Sequence, residues 1–261
     1  MTEPTEALDW QGEPVSCEGC AHQDLLVKGQ CKPLSSCVFD RYAKRIDRFF
    51  GTHPSLAKNY IMHPYFEVRS VAAKYLDVFH LARLCDDPDE TVRSTVALYL
   101  LPARLGRMSH DEDREVRIRV ASRLPVDALG SMVYDQDYYV RLVVARRLPV
   151  NKLTQLMRDE DTSVRIEVAK RLDETQLLAM AGDADPQVRL IVAGRVEQDQ
   201  LLVFRHDKDW RVRYETAQRI DQKYLQDMSA DEDATVRELV AARLANCSSN
   251  QLGNGHGKNQ S

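Results

Sequence analysis

Four cysteines, Cys17, Cys20, Cys31 and Cys37, fall within 21 residues near the start of the chain, the first two as a Cys-x-x-Cys pair, while Cys85 and Cys247 stand alone. Thiolates are soft ligands, and four this close together form a metal-ligand set before they form two disulfides, since the chain is expected in the reducing cytoplasm. The spacing itself leaves the metal open. Four sulfurs suit a structural zinc or an iron–sulfur cluster, and zinc sites more often repeat a tight second pair than leave five residues between Cys31 and Cys37. His22 stands close enough in sequence to replace a cysteine, a role that the fourth thiol makes unnecessary. A metal here has two possible duties. It can staple a segment of about 40 residues with little apolar material for a core. It can also carry electrons, with Glu3, Glu6, Asp9, Glu13, Glu18 and Asp24 around it to steer a basic partner.

No other chemistry stands out. Gly-x-Ser-x-Gly, a phosphate loop, a dinucleotide fingerprint and His-Glu-x-x-His are all missing, so an enzyme is not expected beyond redox chemistry at the cysteines. The seven histidines are scattered, and His206, beside Asp207 and near Trp210, reads as a surface residue. Cys85 and Cys247 have no neighbouring base and read as incidental. The net charge of −4 is uneven: residues 1–40 hold seven acids and two bases, or −5, so the rest sums to +1. That balance lacks the basic stripe that phosphate-backbone binding needs, and a nucleic-acid partner is not expected. The opening MTEPTEALDW has neither a basic nor an apolar leader region, and no apolar run approaches a membrane span, so no membrane association is expected.

The cysteines precede a repeat. Val-Arg occurs at Arg69, Arg93, Arg117, Arg141, Arg165, Arg189, Arg213 and Arg237, each arginine 24 residues after the last. A strict period of this kind means stacked identical units, each burying its apolar face only against its neighbours. Counting from the arginine, Ala stands four residues later in every unit, Val usually three later, and Leu, Ile or Val seven later, which is one face of a helix. An Asp four before the arginine in seven units, Asp89 to Asp233, is a preferred N-cap, and Pro186 falls on a first helical position. A second apolar pair at offsets twelve and fifteen, such as Leu153 with Leu156, lies in a segment too short for a second α-helix. A 3₁₀ turn opened by Asp127, Asn151, Thr175 or Asp199 suits it better. A further Asp six before the arginine repeats from Asp87 to Asp231. Calcium loops need glycine and a distal Glu that are absent, so these carboxylates are expected to pair with the buried arginines. No period-two alternation argues for strands.

The pattern Asp-x-Asp-x-x-Val-Arg-x-x-Val-Ala-x-Arg-Leu, as at 135–148 and 159–172, resembles the leucine-rich repeat variant family. That resemblance implies an all-α solenoid of alternating α- and 3₁₀-helices, a right- or left-handed superhelix of eight 24-residue repeats over residues 63–245. The first unit departs from the pattern, with His63 and Tyr65 in place of the two aspartates, and an atypical terminal repeat is expected there. The segment from Cys17 to Cys37 looks like the 4Fe-4S module of some family members, which makes Cys17, Cys20, Cys31 and Cys37 the implied cluster ligands, with zinc as the alternative. The organisation expected is a Cys-rich module at 1–40, a connecting helical cap at 41–62, the repeats, and a disordered tail at 246–261. Function is expected to be protein–protein interaction, coupled to electron transfer or redox sensing. Aromatics at the exposed helix starts, Phe66, Tyr138 and Trp210, are candidate anchors for a protein partner.

Overall fold

A computed structural model describes residues 4–253, with side chains to Asn246. The chain forms two compact units, 1–132 and 133–261. Among the described residues the structure is helical, with two isolated antiparallel bridges, Leu8 with Pro14 and Lys32 with Ser36.

The first unit holds the Cys-rich module with its short helix α1 (Gln23–Val27), then α2 (Ala43–Thr52) and a 3₁₀ segment (Pro54–Tyr60). The repeats follow as α3 (Phe66–Ala73), α4 (Val78–Ala82), α5 (Glu90–Tyr99), a 3₁₀ segment (Pro102–Met108), α6 (Arg114–Arg123) and a 3₁₀ segment (Val126–Met132). Among these, α2 packs on α3, α3 on α5, and α5 on α6. The second unit carries the long repeat helices α7 (Tyr138–Arg147), α8 (Thr162–Arg171), α10 (Pro186–Arg195), α11 (Trp210–Arg219) and α12 (Ala234–Gly253). Between α8 and α10 lies the short α9 (Glu174–Leu177). Consecutive long helices again pack side by side. Each unit is thus a stack of repeats, three long repeat helices in the first and five in the second.

The expected N-caps are in place: Asp137 accepts from the backbone N–H of Tyr139 at 2.8 Å, and Asp89, Asp113, Asp161, Asp185, Asp209 and Asp233 act alike. The apolar ladder is the core. In one repeat, Val140, Val144, Ala145, Leu148, Leu153 and Leu156 are all buried. Burying one such leucine is worth roughly 2 to 3 kcal/mol. Alanine at offset four, 0% exposed from Ala73 to Ala217, is what lets neighbouring helices approach.

The short segments differ from expectation in their caps. They begin one residue earlier, at Val126, Val150, Glu174 and Gln198, so Asp127, Asn151, Thr175 and Asp199 stand at the second position. Where an Asp caps, it does so from offset eight: Asp77, Asp173 and Asp221 accept from the backbone N–H groups two residues on, at 2.9, 3.1 and 3.0 Å. Behind Asp77 and Asp173 the first hydrogen bond closes from i+4, and those two segments start as α-helix. The chain end also differs from the expected tail. Helix α12 continues to Gly253, because offset eight is Ala245 and no proline follows to stop it. Residues 254–261 lie outside the described part.

Six arginines of the Val-Arg series, Arg69, Arg93, Arg141, Arg165, Arg189 and Arg213, join two repeats. In the second unit, Arg141 donates from Nε and Nη2 to both oxygens of Asp159, at 2.7 and 2.8 Å, and from Nη1 to the carbonyl of Asp135, at 2.8 Å. The same fork joins Arg165 to Asp183, Arg189 to Asp207 and Arg213 to Asp231, and in the first unit Arg69 to Asp87 and Arg93 to Asp111. The carboxylate also accepts from the backbone N–H two residues on, as Asp159 does from Asp161 at 2.9 Å, so one side chain holds the turn and the neighbouring repeat together. In the atypical first repeat His63 takes over the turn: its Nδ1 accepts from the Tyr65 N–H at 3.1 Å, and its carbonyl accepts from Arg69 at 2.7 Å.

A second arginine, six residues after the first, does another job. Arg195 donates to the carbonyls of Ala169 at 2.6 Å and Leu172 at 3.0 Å, at the C-terminal end of the preceding long helix. Arg123, Arg171, Arg219 and Arg243 do the same one repeat back. A helix leaves its last carbonyls without internal partners and carries partial negative charge there, so a guanidinium satisfies both needs.

Candidate metal centre

Three turns bring the cysteines together. The Cys20 N–H donates to the Cys17 carbonyl, closing a tight turn before α1. Gly29, at φ +67°, ends α1 by donating to Leu26 at 2.9 Å and turns the chain back towards Cys31. Between Cys31 and Cys37, Lys32 and Ser36 exchange two backbone bonds of 3.0 Å around Leu34, whose φ of +65° is uncommon for a residue with a side chain. Cys37 is then fixed by its N–H, which donates to the Arg45 carbonyl in α2 at 3.2 Å.

The result is one pocket lined by all four thiols, Cys17, Cys20, Cys31 and Cys37, with walls that include Leu26, Val38, Phe39 and Phe49. The thiols line it without closing on one point: among the described residues no three His, Cys, Asp or Glu side chains are close enough to share a single metal ion. All four cysteines are half-buried and none is in a disulfide. Burial pushes the Cys37 thiol up to about 11. Burial also raises Cys31, with the nearby Cys20, Cys17 and Asp24 adding to it. Cys31 and Cys37 therefore hold their protons at neutral pH, and a cation that binds them must displace those protons. A soft, four-sulfur, largely apolar site fits an iron–sulfur cluster by the chemistry of its donors.

His22 lines the same pocket as a packing residue. Its ring sits among Phe39, Phe49 and Tyr60, with centroids 6.2, 5.1 and 6.0 Å away, and its Nε2 is hydrogen-bonded to the Tyr60 hydroxyl. Burial lowers its basicity, so the ring is neutral at pH 7. Its backbone serves the thiols: the N–H points at Cys20 Sγ, 3.4 Å away, and the carbonyl at Cys31 Sγ, 3.8 Å away. Cys85 is buried in a separate groove beside Arg93 and Arg107, and Cys247 lies outside the described side chains.

Arg45, which no sequence motif marks, anchors the module. Only 1% exposed, it donates from Nη1 to the Glu6 carbonyl at 2.9 Å and to Asp40 at 2.8 Å, and from Nη2 to the Pro4 carbonyl. Charge buried on this scale needs acceptors, and two of the three that the terminal nitrogens find are backbone atoms of the N-terminal segment, while Nε has none among the described residues. A composition-level reading cannot see such a bond, because the acceptors are main-chain carbonyls 39 and 41 residues away.

Comparison with known proteins agrees with this layout. Residues 7–59 match the family model described as "LRV protein FeS4 cluster", a span that includes all four cysteines, α2 and most of the following 3₁₀ segment. A curated relative from Rhodobacter capsulatus, named "Uncharacterized 27.7 kDa protein in nifB 3'region", is 51% identical over 89 residues, 34% of this chain and 36% of that protein. The matched stretch thus spans about a third of that relative's length. A solved structure described as a leucine-rich repeat variant with a novel repetitive structural motif is 42% identical, with a TM-score of 0.78, covering 88% of this chain and 99% of that one. This protein belongs to the leucine-rich repeat variant family and carries the family's iron–sulfur module at the front of its repeats.

Proposed function

We propose that Cys17, Cys20, Cys31 and Cys37 ligate a 4Fe-4S cluster, and that the protein binds a protein partner through its repeats in a manner coupled to that module. The observation that carries this reading is the single pocket shared by the four thiols, whose wall includes Phe49 of α2. Phe49 belongs to the buried cluster that also contains Val68, Val71 and Ala72 of the first repeat. The ligand pocket and the first repeat therefore share packed side chains, and a change at the sulfurs is felt by the repeat surface. When bound, the cluster supplies a redox couple at a site whose four thiols all remain partly exposed. The module's excess of acids suits approach by a basic protein.

A second duty is favoured by a specific observation: between residues 4 and 37 no residue is buried, and α1 buries none. Apolar packing alone gives this stretch little to fold around, so the cluster also serves as its staple. The test is an anaerobic pull-down comparing the native chain, oxidised and reduced, with a Cys31→Ser form. A partner retained by one redox state and lost with Cys31→Ser supports coupling. Equal capture by all three forms overturns it and leaves the staple. The printed name of the Rhodobacter capsulatus relative points to nifB and the products encoded around it as the first partners to try.

A further inference from the structure

The forked arginines lie along grooves between repeats, and the first groove is unlike the next. Over Arg93 the walls are largely charged, with Asp86, Arg107, His110 and Glu112. Over Arg69 they are Trp10, Pro64, Tyr65, Phe66, Pro88 and Asp89. Trp10 comes from the metal module and the other five from the first two repeats, so this groove exists only where module and repeats meet. The Trp10 and Tyr65 rings are nearly parallel, 14° apart in plane, with centroids separated by 6.4 Å. Offset-stacked rings have centroids about 4.5 to 7 Å apart, so Trp10 and Tyr65 stack on one another along the groove. The pair forms one aromatic wall of the groove, on which a further flat group can stack. Trp10 is 43% exposed on a turn closed by Asp9, whose carboxylate accepts from the N–H groups of Gln11 and Glu13, both at 2.9 Å.

The electrostatics favour a cation. Arg69, in the floor, is neutralised by both oxygens of Asp87, each at 2.8 Å. Asp89 uses Oδ1 to cap α5 at the Thr91 N–H, 2.9 Å away, which leaves its charge at the groove wall. Glu67 stands near it: burial raises the Glu67 carboxyl, Lys74 counters this, and the Asp89 charge adds to the rise. Arg41, whose carbonyl accepts from the Tyr65 hydroxyl at 3.2 Å and whose backbone N–H donates to the Leu8 carbonyl at 2.8 Å, is the neighbouring base, with Asp9 next to Trp10 on the module side.

We propose that this groove binds an arginine side chain presented by a basic protein segment, its guanidinium stacking with Trp10 and Tyr65 and pairing with Asp89. Arginine suits this groove better than lysine because its head group is planar, weakly hydrated and stacks on aromatic faces. Two prolines and three aromatic rings also resemble a surface for a proline-rich strand, but such a strand has no use for the surrounding carboxylates.

The probe is a fluorescein-labelled peptide with three arginines spaced by Gly-Ser, titrated by anisotropy against the full-length, cluster-loaded protein, with matched lysine and proline-rich peptides alongside. Saturable binding is expected, tighter for arginine than for lysine and weakened by salt. Trp10→Leu, an exposed position, should weaken it about five-fold or more. Asp89→Asn keeps a good helix cap and removes only the charge, and should weaken it as well. In a Trp210→Phe background Trp10 is the remaining tryptophan, and its emission should change on titration. The proposal is overturned by lysine and arginine peptides binding equally, by Trp10→Leu binding unchanged, or by preference for the proline-rich peptide. The site deepens the protein-binding reading above, and the two fail separately. A partner captured equally by native and Trp10→Leu chains would remove this groove and leave that reading standing, whereas peptide binding with no captured partner does the reverse.

Discussion

Replacing Arg165 with Met removes one rung of the inter-repeat ladder and leaves its neighbours in place. Arg165 donates to both oxygens of Asp183, from Nε at 2.8 Å and Nη2 at 3.1 Å, and to the carbonyls of Asp159 and Glu160 from Nη1, at 2.9 and 3.0 Å. The two side chains are 13% and 7% exposed. Hydrogen bonds to charged groups contribute about 1.5 to 3 kcal/mol each, and breaking a fully buried pair costs roughly 3 to 5 because the abandoned charge has no water. Asp183 keeps one compensating bond, from the Asp185 N–H at 2.8 Å, and its groove is open on one side. The expected loss is therefore about 2 to 4 kcal/mol, below the fully buried limit. Urea unfolding followed by circular dichroism reads it as a lower midpoint, provided the slope is unchanged. Because repeat arrays can unfold in parts, the same variant should be checked by hydrogen exchange, where lost protection should centre on α8 and α10. Arg211→Met is the control: Arg211 pairs with Asp209 within its own repeat and is largely exposed, so its midpoint should not move. A midpoint for Arg165→Met equal to that of Arg211→Met would refute the ladder as a source of stability.

The other predictions concern the module, the helix contacts and pH. Anaerobically purified protein should contain about four irons per chain, and serine at Cys17, Cys20, Cys31 or Cys37 should lower iron retention while Cys85→Ser does not; zinc at full occupancy in place of iron would overturn the assignment. Ala145→Leu should cost roughly 1 to 3 kcal/mol in the same urea assay, because Ala145 is 0% exposed between close helices, and an unchanged midpoint would place offset four outside the contact. Burial raises the Asp207 and Asp231 carboxyls, and the forks from Arg189 and Arg213, with a backbone N–H bond at each, outweigh it and lower both. Carboxyls lowered on folding stabilise the fold above their ordinary pKa of about 4 and lose that contribution as pH falls towards 2. The melting temperature should therefore hold down to about pH 4 and fall below it, and a flat profile to pH 2 would contradict the ladder.

The repeats were legible because their signals are local and recur. An Asp four residues before an arginine caps the helix it precedes, and apolar residues at fixed offsets share a face whatever surrounds them. The partner of each arginine was legible only as a residue type. Asp159 belongs to Arg141, not to Arg165 of its own repeat, because the fork reaches 18 residues forward across the stack. The second arginine, Arg195 and its equivalents, gave no chemical hint, since its acceptors are backbone carbonyls present at every position. At the module, the cysteine count pointed to a metal while the shared pocket depended on three turns and on Arg45. The left-handed Leu34 at the Cys31–Cys37 turn has no sequence signature at all.

The Val-Arg series and the alanine at offset four occupy the same positions in every repeat, and this uniformity decides where recognition can reside. A feature present in every unit cannot mark one place on the stack, so the forks and caps serve assembly, and specificity must come from residues that break the pattern. The first repeat breaks it most. His63 and Tyr65 stand in for two aspartates, which removes two carboxylates from one groove and puts an aromatic face there instead. The turn survives because the His63 ring accepts the bond an aspartate would have taken, so this departure leaves the local backbone intact. Trp10 then completes the wall from the metal module. An atypical end repeat is needed in any stack to seal the open core, and here the residues that make it atypical also line a groove reaching to the iron–sulfur module. Sealing the stack and recognition therefore draw on the same few side chains, and a substitution such as Tyr65→Asp, which restores the repeat pattern, should add a side-chain cap to α3 while removing the ring that stacks on Trp10.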